Sequence, residues 1–264
     1  MLQKRMVRWI AAWACALIGL ALLIPVLVVE RVPAAERPAR HGEAAVRPDL
    51  PGAVVVPVLM TRTGEIERVP LETYVRGVVA AEMPIEFELE ALKAQAIAAR
   101  TYILRRMAQG DYRDLGEAGA VVSDTARHQA YVGERELGRQ WPWMMRGRYM
   151  RKLNRAVRET EGLVLTYNGE LIQASYFSTS NGYTEDSEAY WQDALPYLRS
   201  VPSPWDVERS PKYKTTAVFD PEEVKAKLGL PAALDAAELA RIDILERTAG
   251  QRVKAVRIGG IVFT

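Results

Sequence analysis

Apolar residues run without a charge from Trp9 to Val29, give way to a polar, proline-broken stretch, and return from Val54 in short periodic blocks. The first run, WIAAWACALIGLALLIPVLVV, is long enough as a helix rising about 1.5 Å per residue to cross a hydrocarbon layer of about 30 Å. Lys4, Arg5 and Arg8 precede it, which predicts a cytoplasmic N-terminus and an exported remainder. Ala34 and Ala35 offer the competing reading of a cleaved signal peptide. Such peptides usually carry only about 7–15 apolar residues, so length favours a retained signal-anchor over residues 1–29. From Glu30 to Gly52, Pro33, Pro38, Pro48 and Pro51 alternate with charges and leave no periodic apolar face, which predicts a linker over residues 30–52.

From residue 53 the pattern predicts an α+β domain of helices and β-hairpins reaching residue 264. Val54 to Met60 is β-branched and apolar, and Thr61 to Gly64 supplies a turn before Glu65 to Val69. Pro57 should confine its strand to a sheet edge. Leu71, Tyr74, Val75, Val78 and Val79 recur at helical spacing, and Pro84 biases Met83 away from the helical region, so this helix should end near Glu82. A second helix, about Leu89 to Arg106, aligns Leu92, Ala96, Ala99 and Ile103 on one stripe. Asn168-Gly169 between Leu163–Tyr167 and Glu170–Phe177 predicts a tight hairpin. A polar loop follows at Ser178 to Glu188, then a helix at Pro221 to Leu228, a helix at Leu239 to Leu245 and a strand at Val253 to Ile258.

The chain has 264 residues, 26% of them charged, and a formal charge of +2, so nucleic acid is not an expected partner. Its one cysteine, Cys15, lies in the apolar run, which excludes an internal disulfide or thiolate metal site beyond it. His41 and His128 are too far apart to suggest a zinc cluster by spacing, and any His-dependent triad would rest on His128 alone. No cofactor is expected.

One carboxylate stands out. Glu82 sits among Val78, Val79, Ala80, Ala81 and Met83 at a helix C-terminus, where the dipole and apolar neighbours favour its protonated form. Lys93 and Arg100, seven residues apart on the next helix, share a face, with Gln95 partly round it. If that face meets Glu82, the cations oppose the dipole, and the carboxylate is either an acid for catalysis or half of a structural ion pair. A second group, YFSTSNGYTEDSEAYW, sets Ser178, Ser180, Asn181, Tyr183 and Thr184 beside aromatic rings, as carbohydrate clefts do, although turns favour the same residues. Asp124, Gln129 and Tyr131 form a weaker third group beside His128, read as a solvated loop residue. Arg127 to Arg158 is strongly basic around WPWMM and reads as a solvated helix face with buried tryptophans, or as a grip on anionic polymers or headgroups.

The segment AAEMP…EALKAQAIAARTY, with TEGLVLTYNGELIQASYFSTSNGYTEDSE and PYLRSVPSPWD, resembles the stage II sporulation protein D family. The resemblance implies a membrane-anchored, extracytoplasmic lytic transglycosylase that cuts peptidoglycan strands stripped of stem peptides, during forespore engulfment. It implies Glu82 as catalytic acid, with Lys93, Gln95 and Arg100 lining the cleft and the loop containing Ser178, Ser180, Asn181, Tyr183 and Thr184 binding glycan. A partner amidase and a membrane protein of the engulfment machinery are implied as well. A single glutamate suffices for this reaction because the muramic C6 hydroxyl replaces the second carboxylate of an ordinary glycosidase. Family members usually continue past the point matching Thr264 through a glycine-rich stretch with a histidine, which implies that the domain is incomplete at its C-terminal side. A non-catalytic wall-binding activator of an amidase is the alternative.

Overall fold

The structure, a computed structural model, describes residues 54–264 apart from 116–118 and 211. The expected signal-anchor and linker lie outside the described residues, and among those described no helix is long and apolar enough to cross a membrane. Alternation in the first apolar block yields strand β1 (Val55–Met60), which buries Val56 and Val58 completely and pairs antiparallel with β2 (Glu65–Pro70). Pro57 is not at an edge. β1 is the middle strand of three, because β3 (Val122–Ser123) runs parallel to its other side. That short ladder starts only at Val58, and Pro57 contributes its carbonyl, which accepts the Val121 N–H at 2.8 Å. The missing proline donor is therefore not needed.

Helix α1 (Leu71–Glu82) ends as the sequence predicts: Met83 is extended at φ −131°, ψ 132°, as the following proline demands. Helix α2 (Leu89–Gln109) runs three residues past the expected end, to Gly110, whose φ of 67° closes it in the left-handed region. Its predicted stripe is realised, with Leu92, Ala96, Ala99 and Ile103 all fully buried. They share one core with Tyr74, Val75, Val78 and Val79 of α1 and with Leu153, Ala156 and Val157 of α3 (Trp143–Glu159). Trp141 is buried there, edge-on to Tyr149, whereas Trp143 is 80% exposed at the helix start, so only one of the two tryptophans is a core residue. The ammonium of Lys152 on α3 donates to the carbonyls of Ile85, Glu86 and Phe87 and ties down the turn just after Glu82.

The Asn168-Gly169 turn forms, with both residues at positive φ (51° and 83°), but its strands β4 (Thr166–Tyr167) and β5 (Glu170–Leu171) are only two residues each. Helix α4 (Trp205–Arg209) and the expected helix α5 (Pro221–Leu228) follow. The segment predicted as one helix over Leu239–Leu245 divides into α6 (Ala236–Leu239) and strand β6 (Ile242–Arg247). Leu239, Ile242 and Leu245 fit a helical period, but Ile242 and Ile244 also alternate, and pairing with β7 (Val253–Ile258) decides between the two. β7 then turns at Gly259-Gly260 into β8 (Ile261–Phe263), completing a sheet of order β6-β7-β8.

Candidate functional site

Glu82 occupies the last position of α1, and its Oε1 accepts the backbone N–H of Ala130 at 2.7 Å. Ala130 belongs to the irregular stretch joining β3 to α3, between Gln129 and Tyr131 of the weaker third group; Ala130 itself is not a candidate that the sequence offers. Its neighbour Gln129, 1% exposed, accepts the Tyr74 hydroxyl at 3.0 Å and donates its amide to the Tyr176 hydroxyl at 3.2 Å. Tyr131 stacks on Tyr74 with ring centroids 5.4 Å apart. Burial is the main reason that the Tyr74 and Tyr176 hydroxyls are held well above their ordinary pKa, and the charge of Glu82 raises both further. Tyr131 is pushed up to about 12, again chiefly by burial. The carboxylate thus faces tyrosines that keep their protons at any physiological pH. Gln95 is buried on α2 beside the Tyr176 hydroxyl, and hydrogen bonding from the Gln129 and Gln95 amides acts on Tyr176 against the effect of burial.

Close approach here depends on Gly77. A methyl at that position would overlap the ring edge of Tyr131 and lie 2.6 Å from the Val132 carbonyl oxygen. Gly77→Ala should therefore push residues 131–132 off α1, costing about 1–3 kcal/mol, as overpacking does. A lowered thermal midpoint checks this, and an unchanged midpoint would show that the loop yields freely.

The two expected cations are engaged elsewhere. Arg100 is completely buried and grips Glu72 with two hydrogen bonds, Nε to Oε1 at 2.8 Å and Nη2 to Oε2 at 2.6 Å, while Nη1 donates to the Leu163 carbonyl at 3.0 Å. Lys93 lies between Glu159 at 2.6 Å and Glu90 at 2.8 Å, and hydrogen bonds to those two raise its pKa. Hydrogen bonds from Lys93 and Arg155 hold Glu159 at about 2. Among the described residues no cation forms an ion pair with Glu82, so the capping pair with Lys93 or Arg100 is not what forms.

The polar loop follows Tyr176 directly, and most of its side chains serve its own shape. Ser180, 2% exposed, donates to the Ser203 carbonyl at 3.3 Å, and Thr184 donates to the Arg199 carbonyl at 2.8 Å. Asn181 donates its amide to the Gly250 carbonyl at 2.9 Å. Glu185 beside it accepts the Thr248 hydroxyl at 2.6 Å and the Gly250 N–H at 3.1 Å, and these bonds, with Arg252, outweigh burial and lower its pKa. Gly250 is required at that crossing, because a methyl there would overlap the Thr184 carbonyl and the Glu185 carboxylate. Ser178 and Tyr183 are exposed and remain open to a ligand.

His128 is not solvated. Its side chain is 2% exposed, with Nε2 2.6 Å from Asp114 Oδ2 and Nδ1 2.8 Å from Ser123 Oγ. Burial pushes Asp114 up, but hydrogen bonds from His128 and Arg106 prevail and hold it at about 2. An unfolded aspartate titrates near 3.9, so this carboxylate contributes stability that is fully present above about pH 4 and is lost as pH falls through about 2. Asp114→Asn should melt below the unaltered chain at neutral pH, with the gap closing between about pH 4 and pH 2; a gap constant over that range would refute the linkage.

Residues 60–167 match the family described as Stage II sporulation protein. The chain is 44% identical over 231 residues to the stage II sporulation protein D of Bacillus subtilis, covering 82% of this chain and 65% of that protein. It is 42% identical over 258 residues to the protein of the same name from Bacillus amyloliquefaciens, covering 91% of this chain and 72% of that one. The chain therefore spans about two thirds of the length of these relatives. It is also 40% identical over 123 residues to an amidase enhancer of Bacillus subtilis, covering 47% of this chain and 14% of that protein.

Proposed function

Because the chain belongs to the stage II sporulation protein D family, we propose that it is a lytic transglycosylase that cleaves peptidoglycan glycan strands, with Glu82 as its catalytic acid and base. The observation that carries this reading is the setting of Glu82: a carboxyl group held by one backbone N–H, bordered by un-ionised tyrosines, with its expected cations paired elsewhere. Oε1 is committed as an acceptor from Ala130, so the transferable proton sits on Oε2. That proton passes to the oxygen bridging C1 of N-acetylmuramic acid to O4 of N-acetylglucosamine, and the C1–O bond breaks. The muramic C6 hydroxyl closes on C1 and gives its proton to the carboxylate, which restores Glu82 and leaves a 1,6-anhydro end without consuming water. One carboxyl does both jobs, where hydrolysis needs two.

On this reading the chain is held in the membrane by residues 9–29, with its catalytic domain outside the cytoplasm, and acts on denuded strands during engulfment beside an amidase. Ser178 and Tyr183 are the side chains open to glycan. The similarity to an amidase enhancer favours a second reading, a wall-binding activator that cuts nothing itself. Mass spectrometry of stem-peptide-free glycan incubated with the full chain distinguishes them: anhydro-muramyl ends support the enzyme, and intact strands with stimulated amidase activity support the activator.

A further inference from the structure

We propose that His128 is a positioning residue for Glu82: held between Asp114 and Ser123, it fixes the loop that aims the Ala130 N–H at the carboxylate. The inference deepens the reading of Glu82 as the acid and rests on it.

The ring's bonding is set by one donor that has no choice. The Ser123 backbone N–H points at Nδ1 from 3.2 Å, so Nδ1 is an acceptor and the ring hydrogen lies on Nε2, directed at Asp114 Oδ2 at 2.6 Å. The Ser123 hydroxyl also approaches Nδ1, at 2.8 Å, with the Thr125 hydroxyl 2.9 Å behind it. Asp114 is itself held by Arg106 at 2.6 Å. Asp, His and Ser in this order resemble a hydrolytic triad, but Ser123 is 4% exposed and its own N–H uses the nitrogen that would take its proton. The arrangement is a staple between α2's far end and the loop after β3.

What the staple holds is next in sequence. The backbone of His128 donates to the Thr125 carbonyl at 3.1 Å, and Tyr131 donates to the Asp124 carbonyl at 3.1 Å, closing a loop. Asp124 anchors its other end, accepting the Thr61 N–H at 3.1 Å and the Thr61 hydroxyl at 2.8 Å. Between those fixed points Gln129 reaches the tyrosines and the Ala130 N–H reaches the carboxylate. A histidine one residue from Gln129 and two from Ala130 thus sets the direction of both.

The test is amide NMR on the 15N-alanine-labelled full chain. The Ala130 resonance should move with pH as Glu82 titrates and lie flat in Glu82→Gln. In His128→Ala that pH-dependent movement should be lost, and in His128→Asn, whose side-chain oxygen can take the Ser123 N–H, it should return in part. Asp114→Ala, which removes the ring's anchor at a partly exposed position, should also diminish it if His128→Ala fails to fold. Movement of unaltered size in either variant that folds would overturn the proposal. In turnover, kcat should fall with KM unchanged, whereas a variant that only melts earlier would keep its kcat at low temperature. Absence of anhydro product from the unaltered chain would sink the role of Glu82, while the amide signal would still decide that of His128.

Discussion

Glu82→Gln should abolish release of anhydro-muramyl ends from stem-peptide-free glycan while leaving fold and strand binding intact. Glutamine keeps the side-chain oxygen that accepts the Ala130 N–H, so the loop after β3 has no cause to move. It has no proton to give to a glycosidic oxygen and no basic site for the C6 hydroxyl proton, so both halves of the reaction are lost. General acid–base catalysis is typically worth about 10²–10⁴-fold, and here one group supplies both roles, so a residual rate near the upper end of that loss or below is expected. Product counted by mass spectrometry, with glycan co-sedimentation as the control, reads the two effects separately. Anhydro ends at an undiminished rate would remove Glu82 from the chemistry altogether.

Arg100→Ala should fail in a different manner. The guanidinium is fully buried, bidentate to Glu72 and bonded to the Leu163 carbonyl, so its removal leaves a partly buried carboxylate and a carbonyl without partners, and a void beside α1. Breaking such a pair costs about 3–5 kcal/mol, which for a domain of this size lowers the thermal midpoint by roughly 6–20 °C. Glycan affinity measured well below the midpoint should be nearly unchanged. If affinity collapses while the midpoint holds, Arg100 is a ligand-binding cation after all. The resemblance implies a place in the cleft for this arginine, and its hydrogen bonds join it to Glu72 of α1 and to the Leu163 carbonyl.

The contrast shows what kind of information the chain carries in its local pattern. The end of α1 at Glu82 follows from Pro84, and the Asn168-Gly169 turn follows from the two positive φ angles it needs; both depend on adjacent residues. The partners of Lys93 and Arg100 do not. Glu72 is 28 positions before Arg100, and Glu159 reaches Lys93 from a different helix, so the choice among several acids is made by packing. His128 illustrates the same limit: a polar loop composition reads as solvent-exposed, whereas the structure buries its side chain between Asp114 and Ser123. Ala130 could not be found by side-chain chemistry at all, because what it supplies is a backbone N–H. Tyr176, by contrast, stood inside a segment already singled out, and its depth is what the pattern left open.

The clasp between Asn181, Glu185 and the turn at Thr248–Gly250 joins positions 63 to 69 apart along the chain. Contacts that span so much sequence pay a large closure entropy and are among the slower ones to form. During synthesis the loop after Tyr176 must wait for residue 250 to emerge before it can take its final shape. Nascent chains halted upstream of that turn would carry Glu82 and its tyrosines but an unset neighbouring loop, so the surface beside the carboxylate is completed only after a long stretch of further chain has emerged.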